Sequence, residues 1–153
     1  MTIEMRNRSW AFTIGQPHPP KGKNRAPQHR MALYTLRSDW QTTAMLGYTQ
    51  AMRKTLKDKP DFAWLTQLPG LALPPCNIQV TLQLRNFKLA DPHNYTSYEI
   101  AWIVDGIVKA GAWEDDRPAN LTVHDSKLEK PNNSRLSHFT VRLWPQIDQE
   151  TEQ

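Results

Sequence analysis

The sequence predicts one α+β domain over residues 1–153: a mixed β-sheet packed with helices, in the order β-α-β-α-β-β. Three observations point there. Apolar residues alternate at Trp10, Phe12 and Ile14, and again at Ile78, Val80, Leu82 and Leu84, the two-residue period of a half-buried strand. Met45, Tyr48, Met52 and Leu56, then Ile100, Val104, Ile107 and Gly111, recur at three- to four-residue spacing, the period of an amphipathic helix. No internal repeat is present, and 153 residues suit a single core, placed at about 10–145 with a polar tail over 146–153.

Taken in order, the first strand stops at Gly15, and residues 16–28, QPHPPKGKNRAPQ, form a Pro-, Lys- and Gly-rich loop. Residues 31–36 suit a short extended segment. Ser38 then reads as an N-cap, with Gln41 three positions on completing a capping box, and the helix runs to about Lys57. Gly47 inside it weakens the helix by roughly 1 kcal/mol relative to alanine. Residues 59–75 are punctuated by proline, yet carry Phe62, Trp64, Leu65, Leu68, Leu71 and Leu73, so this connector is expected to pack on the body. The best strand follows at 78–84. A second helix is expected over about 92–110, with Ile103 and Val108 flanking its apolar stripe and Gly111 as its C-terminal cap. Residues 121–124 and 136–144 read as strands. The stretch between them, residues 125–134, contains a polar turn and suggests a closing hairpin.

Composition narrows the class. No apolar run approaches the roughly 20 residues of a spanning helix, so no membrane partner is expected. The first residues, MTIEMR, have no apolar core followed by a cleavage site, which argues against secretion. Cys76 is the single cysteine, which excludes an internal disulfide framework and a cysteine zinc cluster and fits a reducing cytoplasm.

The formal charge of +4 combines two unequal parts. Residues 1–59 hold 11 Lys and Arg against 3 Asp and Glu; residues 60–153 hold 8 against 12. From Met5 to Ser38 there are seven basic residues and no acidic one, whereas from Asp91 to Asp116 there are six acidic residues and one lysine, Lys109. A basic arm suggests a polyanion and a separate acidic cluster suggests a bound cation; chance asymmetry accounts for the charge alone equally well.

Two places supply the hard oxygen ligands that Mg²⁺ prefers: Asp91-Pro92-His93-Asn94, at the start of the second helix, and Glu114-Asp115-Asp116, just past its end. Each has a plain structural alternative. Asp followed by Pro is an ordinary helix start, a lone His93 reads as a surface residue, and Asp115-Asp116 before Arg117-Pro118 is ordinary turn composition. Asp105, opposite the apolar stripe, is explained by solvent exposure. A helix of about 18 residues spans about 27 Å. The two acidic places therefore converge only if the turn after Gly111 folds back along the helix, or if a second subunit contributes.

The combination carries more than its parts. Asp91-Pro92-His93-Asn94-Tyr95, followed by VDGIVKAGAWEDD ending at Asp116, resembles the signature of the RusA family of Holliday junction resolvases of bacteria and their phages. That family shows a short Asp-x-Asp-Asn element, then a helix ending near Asp-Gly/Ala-Leu-x-x-Ala-Gly, then an Asp-Asp pair. The element order is also similar from about Ala11 to Trp144. The resemblance implies a RusA-like fold and a divalent-metal-dependent endodeoxyribonuclease that cuts branched DNA, in recombination or repair, with Mg²⁺ or alternatively Mn²⁺. It further implies a homodimer, because resolving a four-way junction takes two symmetric cuts. Asp91 matches the first metal-binding aspartate, and Asp116, with Asp115 beside it, matches the later pair. Asn94 closes the first element and is assigned with the DNA contacts. His93 stands where many members have a second aspartate; imidazole suits Mn²⁺, Co²⁺ or Zn²⁺ better than Mg²⁺. The helical lysine that such enzymes use near the scissile phosphate has no counterpart in Tyr98-Glu99-Ile100-Ala101.

Lys21, Lys23, Arg25 and Arg30 belong to the basic arm and suit phosphate contacts, which report shape rather than sequence. Arg85 and Lys88, just before Asp91, would guide a strand to the metal; a solvated loop is the alternative. Of the six tryptophans, Trp10, Trp64, Trp102 and Trp144 read as core or interface. Trp113, between the helix cap and the acidic pair, reads as a junction wedge or a wall of the site.

Overall fold

The computed structural model describes residues 9–17, 30–58, 63–66, 68–83, 92–129 and 138–146. The elements are β1 (Trp10–Gly15), α1 (Arg30–Lys57), a 3₁₀ turn (Ala63–Thr66), β2 (Cys76–Gln83), α2 (Pro92–Lys109), β3 (Leu121–Val123), β4 (Lys127–Glu129) and β5 (His138–Pro145). They form an α+β fold with one mixed five-stranded sheet, ordered β1-β5-β2-β3, with β4 also paired to β2.

The alternation that marks β1 and β2 recurs in β5, and it decides the pairing. Trp10 and Phe12 of β1, Ile78, Val80 and Leu82 of β2, and Phe139, Val141 and Leu143 of β5 all bury on one face. Each such side chain contributes roughly 1.5–3 kcal/mol when taken out of water. The two long strands therefore lie side by side: β5 pairs antiparallel with β2 from Cys76↔Pro145 to Gln83↔His138, and with β1 from Trp10↔Leu143 to Gly15↔His138.

This overturns the expected closing hairpin. β3 and β5 lie on opposite sides of β2. β3 pairs with β2 in parallel, as a strand does when the chain returns through a helical crossover. The stretch expected to hold a polar turn contains β4, also parallel to β2. On the outer face the alternate residues are polar and bond one another, for example Thr13 with Thr140 (2.9 Å) and Thr140 to Gln83 (3.0 Å).

Helix α1 begins eight residues before Ser38, at Arg30, so residues 31–36 are helical rather than extended and the Ser38–Gln41 capping box does not form. The reason is the apolar stripe. Leu33 and Leu36, half-buried, continue the face of Trp40, Ala44, Tyr48 and Met52, and no proline or glycine interrupts residues 30–46. Met45 is only half-buried. Gly47 serves a contact: a Cβ there would lie 2.0 Å from Ile14 Cδ1, so β1 closes onto α1 because the residue has no side chain.

The connector packs as expected through Trp64, Leu65 and Leu73, although Leu68 is exposed. Tyr48 Oη donates to the Leu71 carbonyl, tying the connector to α1. Helix α2 starts at Pro92 as the sequence indicates. Its buried face centres on Ile103 and Ile107, flanked by Trp102 and Val104, a shift from the stripe expected through Ile100 and Gly111. Gly111 ends it at φ +104°, a left-handed conformation that glycine adopts without strain.

Candidate functional site

Past Gly111 the chain does not fold back along α2. The Ala112 carbonyl accepts from Leu73 N (2.8 Å), and Trp113 Nε1 donates to the Pro74 carbonyl (2.9 Å). Both contacts pin the segment beside the start of β2. Trp113 is 7 % exposed, so it is an anchor in the core and not a projecting wedge. Trp10, Trp40, Trp64, Trp102 and Trp144 are buried as well.

The acidic pair that follows divides its labour. Asp115 is half-buried and its carboxylate accepts three contacts from the turn. Oδ1 accepts from Arg117 N (3.0 Å) and Asn120 Nδ2 (2.9 Å), and Oδ2 accepts from Arg117 Nε (2.7 Å). Hydrogen bonding to Arg117 and Asn120 holds this carboxyl below its ordinary range, and the pairing raises the Arg117 guanidinium in turn. Asp116 is exposed, and among the described residues no hydrogen bond or ion pair engages its carboxylate. The two aspartates expected at the site thus differ in surroundings: Asp115 is bonded within the turn and Asp116 is exposed.

The remaining site residues are distributed as follows. His93 and Asn94 lie in the first turn of α2, and Arg30 is the first residue of α1. Asp91, Lys21, Lys23, Arg25, Arg85 and Lys88 lie outside the described residues. Pro92 and Lys109 bound an 18-residue helix, about 27 Å long. A residue preceding Pro92 and the turn after Gly111 are thus attached to opposite ends of that helix. Among the described residues no three His, Cys, Asp or Glu side chains gather closely enough to hold a metal ion. Asp116, with neither oxygen engaged among the described residues, would supply one oxygen ligand to a hard cation; the rest of a centre would come from other residues.

Three features escaped the sequence. Glu99 is 0 % exposed, on the packing face one turn before Ile103; its four-residue spacing to Ile103 was the available signal. Asp105 is half-buried rather than solvated. It accepts from Gln41 Nε2 (3.3 Å), while Gln41 Oε1 accepts from Lys109 Nζ (2.8 Å). The Asp-Gly of the motif therefore clasps α2 to α1. Asn120, which ties the turn together, carried no signal beyond being a turn residue. A groove of about 600 Å³ between β1 and α1, walled by Gln50, Lys54 and Asp58, includes none of the expected site residues.

No protein-family model matches the chain, and no curated protein matches it.

Proposed function

We propose that the chain is a divalent-metal-dependent endodeoxyribonuclease of the RusA type that cuts Holliday junctions or other branched DNA. The observation that supports this reading is the Asp116 carboxylate, exposed and without a hydrogen bond or ion pair among the described residues, beside Asp115 and Arg117, which bond to each other. It is the oxygen that the resemblance assigns to metal. Asp91 and Asp116 would hold the ion, with His93 beside them. A bound Mg²⁺ or Mn²⁺ lowers the pKa of its water and screens charge on a phosphate. The basic residues Lys21, Lys23, Arg25, Arg30, Arg85 and Lys88, with Asn94, would hold the DNA backbone and orient it.

The length of α2 favours a homodimer with a shared centre, in which Asp91 of one copy meets Asp116 of the other. Two such centres related by a two-fold axis would supply the paired cuts that a junction needs.

A synthetic four-way junction incubated with the protein and Mg²⁺ or Mn²⁺, beside Asp91→Asn and Asp116→Asn, tests the reading. Cleavage that both variants lose while retaining binding supports it. Junction binding without cutting in either metal overturns it and leaves the second reading, a catalytically weakened or inactive branched-DNA-binding protein of the same fold, motivated by His93 and by the missing helical lysine.

A further inference from the structure

We infer that the face of the sheet opposite the helices binds a single nucleic-acid strand, with Lys127 and Arg142 on its phosphates and His124, backed by Trp144, beneath one of its bases. The inference goes beyond the nuclease reading, which places the DNA contacts on other residues, and it needs no metal. Both helices pack on the face of Ile78, Val80 and Leu82. On the other face the alternate residues Asn77, Gln79, Thr81 and Gln83 are polar and only half-buried. A pocket of about 200 Å³ opens there over Gln79, Thr81 and Gln83 of β2. It lies between Lys127 and Glu129 of β4 and Thr140 and Arg142 of β5.

Charge is the first argument for the occupant. Lys127 is directly opposite Thr81 on β4, and Arg142 is two residues from Thr140, the partner of Thr81 on β5. The two cations thus flank the pocket, and among the described residues no carboxylate pairs with either. Arg142 is half-buried and gives one of its five donors to Ser9 Oγ (2.9 Å). A partly buried guanidinium without a counter-charge is costly, and an arriving phosphate would supply that charge. The amides beside it are already oriented. Thr140 Oγ1 donates to Gln83 Oε1 (3.0 Å), leaving the Gln83 amide nitrogen as a donor. Gln79 Nε2 donates to the Asp125 carbonyl (3.1 Å), leaving its oxygen as an acceptor.

The second argument is an aromatic pair on the same face. Trp144 stands opposite Asn77 and outside the core cluster. The exposed His124 ring lies against it, with centroids 5.1 Å apart and planes 32° apart. Asn77 Nδ2 donates to the Pro145 carbonyl (3.2 Å), so its Oδ1 accepts from His124 Nε2 (2.9 Å). The ring is therefore held at one edge and backed on one face, as a stacking platform for a base is. Asn77 and Thr81 are four residues apart, about 13 Å along β2, within the reach of one short strand. Cations alone would suit any polyanion; the ring beside them favours one that carries bases. Unpaired bases are the ones free to stack on it.

The test compares the full-length chain with Lys127→Gln, Arg142→Gln, Glu129→Gln and His124→Ala. Binding of a labelled twelve-nucleotide oligothymidine, and of an abasic strand of equal length, is followed by fluorescence anisotropy over a salt series with EDTA present. Thermal unfolding is followed in parallel. Each of Lys127→Gln and Arg142→Gln should weaken binding and flatten the dependence of log affinity on log salt by about 0.7, the release from one phosphate of a single strand. Glu129→Gln removes a repelling charge and should tighten binding a few-fold. His124→Ala should weaken oligothymidine by about fivefold or more, the usual loss of one stacked base, and leave the abasic strand unchanged. The basic arm contributes equally to every variant, so the differences report the sheet face.

Unchanged affinity and salt slope in Lys127→Gln and Arg142→Gln overturn the inference; if Arg142→Gln does not fold, the exposed Lys127 decides alone. Flattened slopes with no effect of His124→Ala make the face a site for any polyanion and overturn its assignment to a base-bearing strand. A duplex of equal length bound as tightly as the single strand overturns it as well. Because EDTA removes divalent metal, a protein that passes this test but cuts no junction loses the nuclease reading and keeps this one.

Discussion

Gly106 of α2 lies against the backbone carbonyl of Gln41 in α1 so closely that a Cβ there would stand 2.3 Å from the oxygen and 2.9 Å from the Ala44 Cβ. Backbone against backbone cannot yield as a flexible side chain can. Gly106→Ala is therefore expected to destabilise the fold by roughly 1–3 kcal/mol through overpacking, more than offsetting the roughly 1 kcal/mol gain in helix propensity. Urea unfolding measures it, and a variant as stable as the wild type would disprove the close crossing.

Gly47→Ala should behave differently, although its contact is shorter on paper. The obstacle is the Ile14 side chain, which also borders the open groove between β1 and α1. Moving Ile14 to a less favoured rotamer costs about 0.5–1.5 kcal/mol, close to what alanine returns in propensity. The same unfolding experiment should place Gly47→Ala within about 1 kcal/mol of the wild type, and clearly above Gly106→Ala.

Cys76 should be inert in the folded protein. It is fully buried, its Sγ donates to the Pro74 carbonyl (3.1 Å), and burial pushes its thiol up to about 12. At pH 8 the thiolate fraction is then on the order of 10⁻⁴, and the thiolate is the reactive form. A thiol reagent should label the chain only at the rate of unfolding. Rapid labelling under native conditions would show that the start of β2 is open.

Alkaline pH should weaken the fold. The Cys76 thiol and the Tyr48 phenol are both raised by desolvation from ordinary values of 9.0 and 10.0. In the unfolded chain each would ionise near its ordinary value, while in the folded chain each stays protonated. The unfolded state thus holds fewer protons as pH rises from about 9 towards 12, and stability falls by up to about 1.4 kcal/mol per pH unit for each group. Unfolding free energies between pH 8 and pH 10.5 should decline, with a shallower slope in Tyr48→Phe. A flat profile would contradict the burial of both groups.

A centre shared between two copies, as proposed, would have its own signature. Asp91→Asn and Asp116→Asn homodimers should each be inactive, yet mixing them after partial unfolding and refolding should restore nicking of a junction. In the mixed dimer, one centre would pair Asp91 of one chain with Asp116 of the other, both intact. A centre built within a single chain would leave the mixture dead.

Trp113→Phe separates anchor from wedge. Losing the 2.9 Å bond to the Pro74 carbonyl should cost about 1 kcal/mol of stability, with junction affinity unchanged in a gel-shift assay. Weaker junction binding at equal stability would return Trp113 to the interface.

What the sequence discloses divides along the range of the interactions. Trp10–Gly15 and Cys76–Gln83 announce themselves because burying alternate side chains is a local pattern. The start of α1 does not. Ser38 and Gln41 imitate a cap, and only the packing of Leu33 and Leu36 shows that the helix has already begun. The pairing of β2 with β5 is equally hidden, since nothing local in residues 121–124 says which edge a strand will take. Of the site, the acids are legible, but their roles are not. Distinguishing Asp115 from Asp116 depends on a side chain five residues away, and recognising Asp105 as half of a clasp depends on one 64 residues away.

The position of β5 has a consequence for how the chain is made. β5, the last strand among the described residues, sits inside the sheet, between β1 and β2. Trp10 can find its partner Leu143 only after more than a hundred intervening residues have been synthesised. Contacts of that sequence separation fold slowly. Until then β1 and β2 each lack the neighbour that joins them, and β2 can pair only with β3 and β4. Joining β1 to the rest of the sheet therefore waits on eight residues, His138–Pro145.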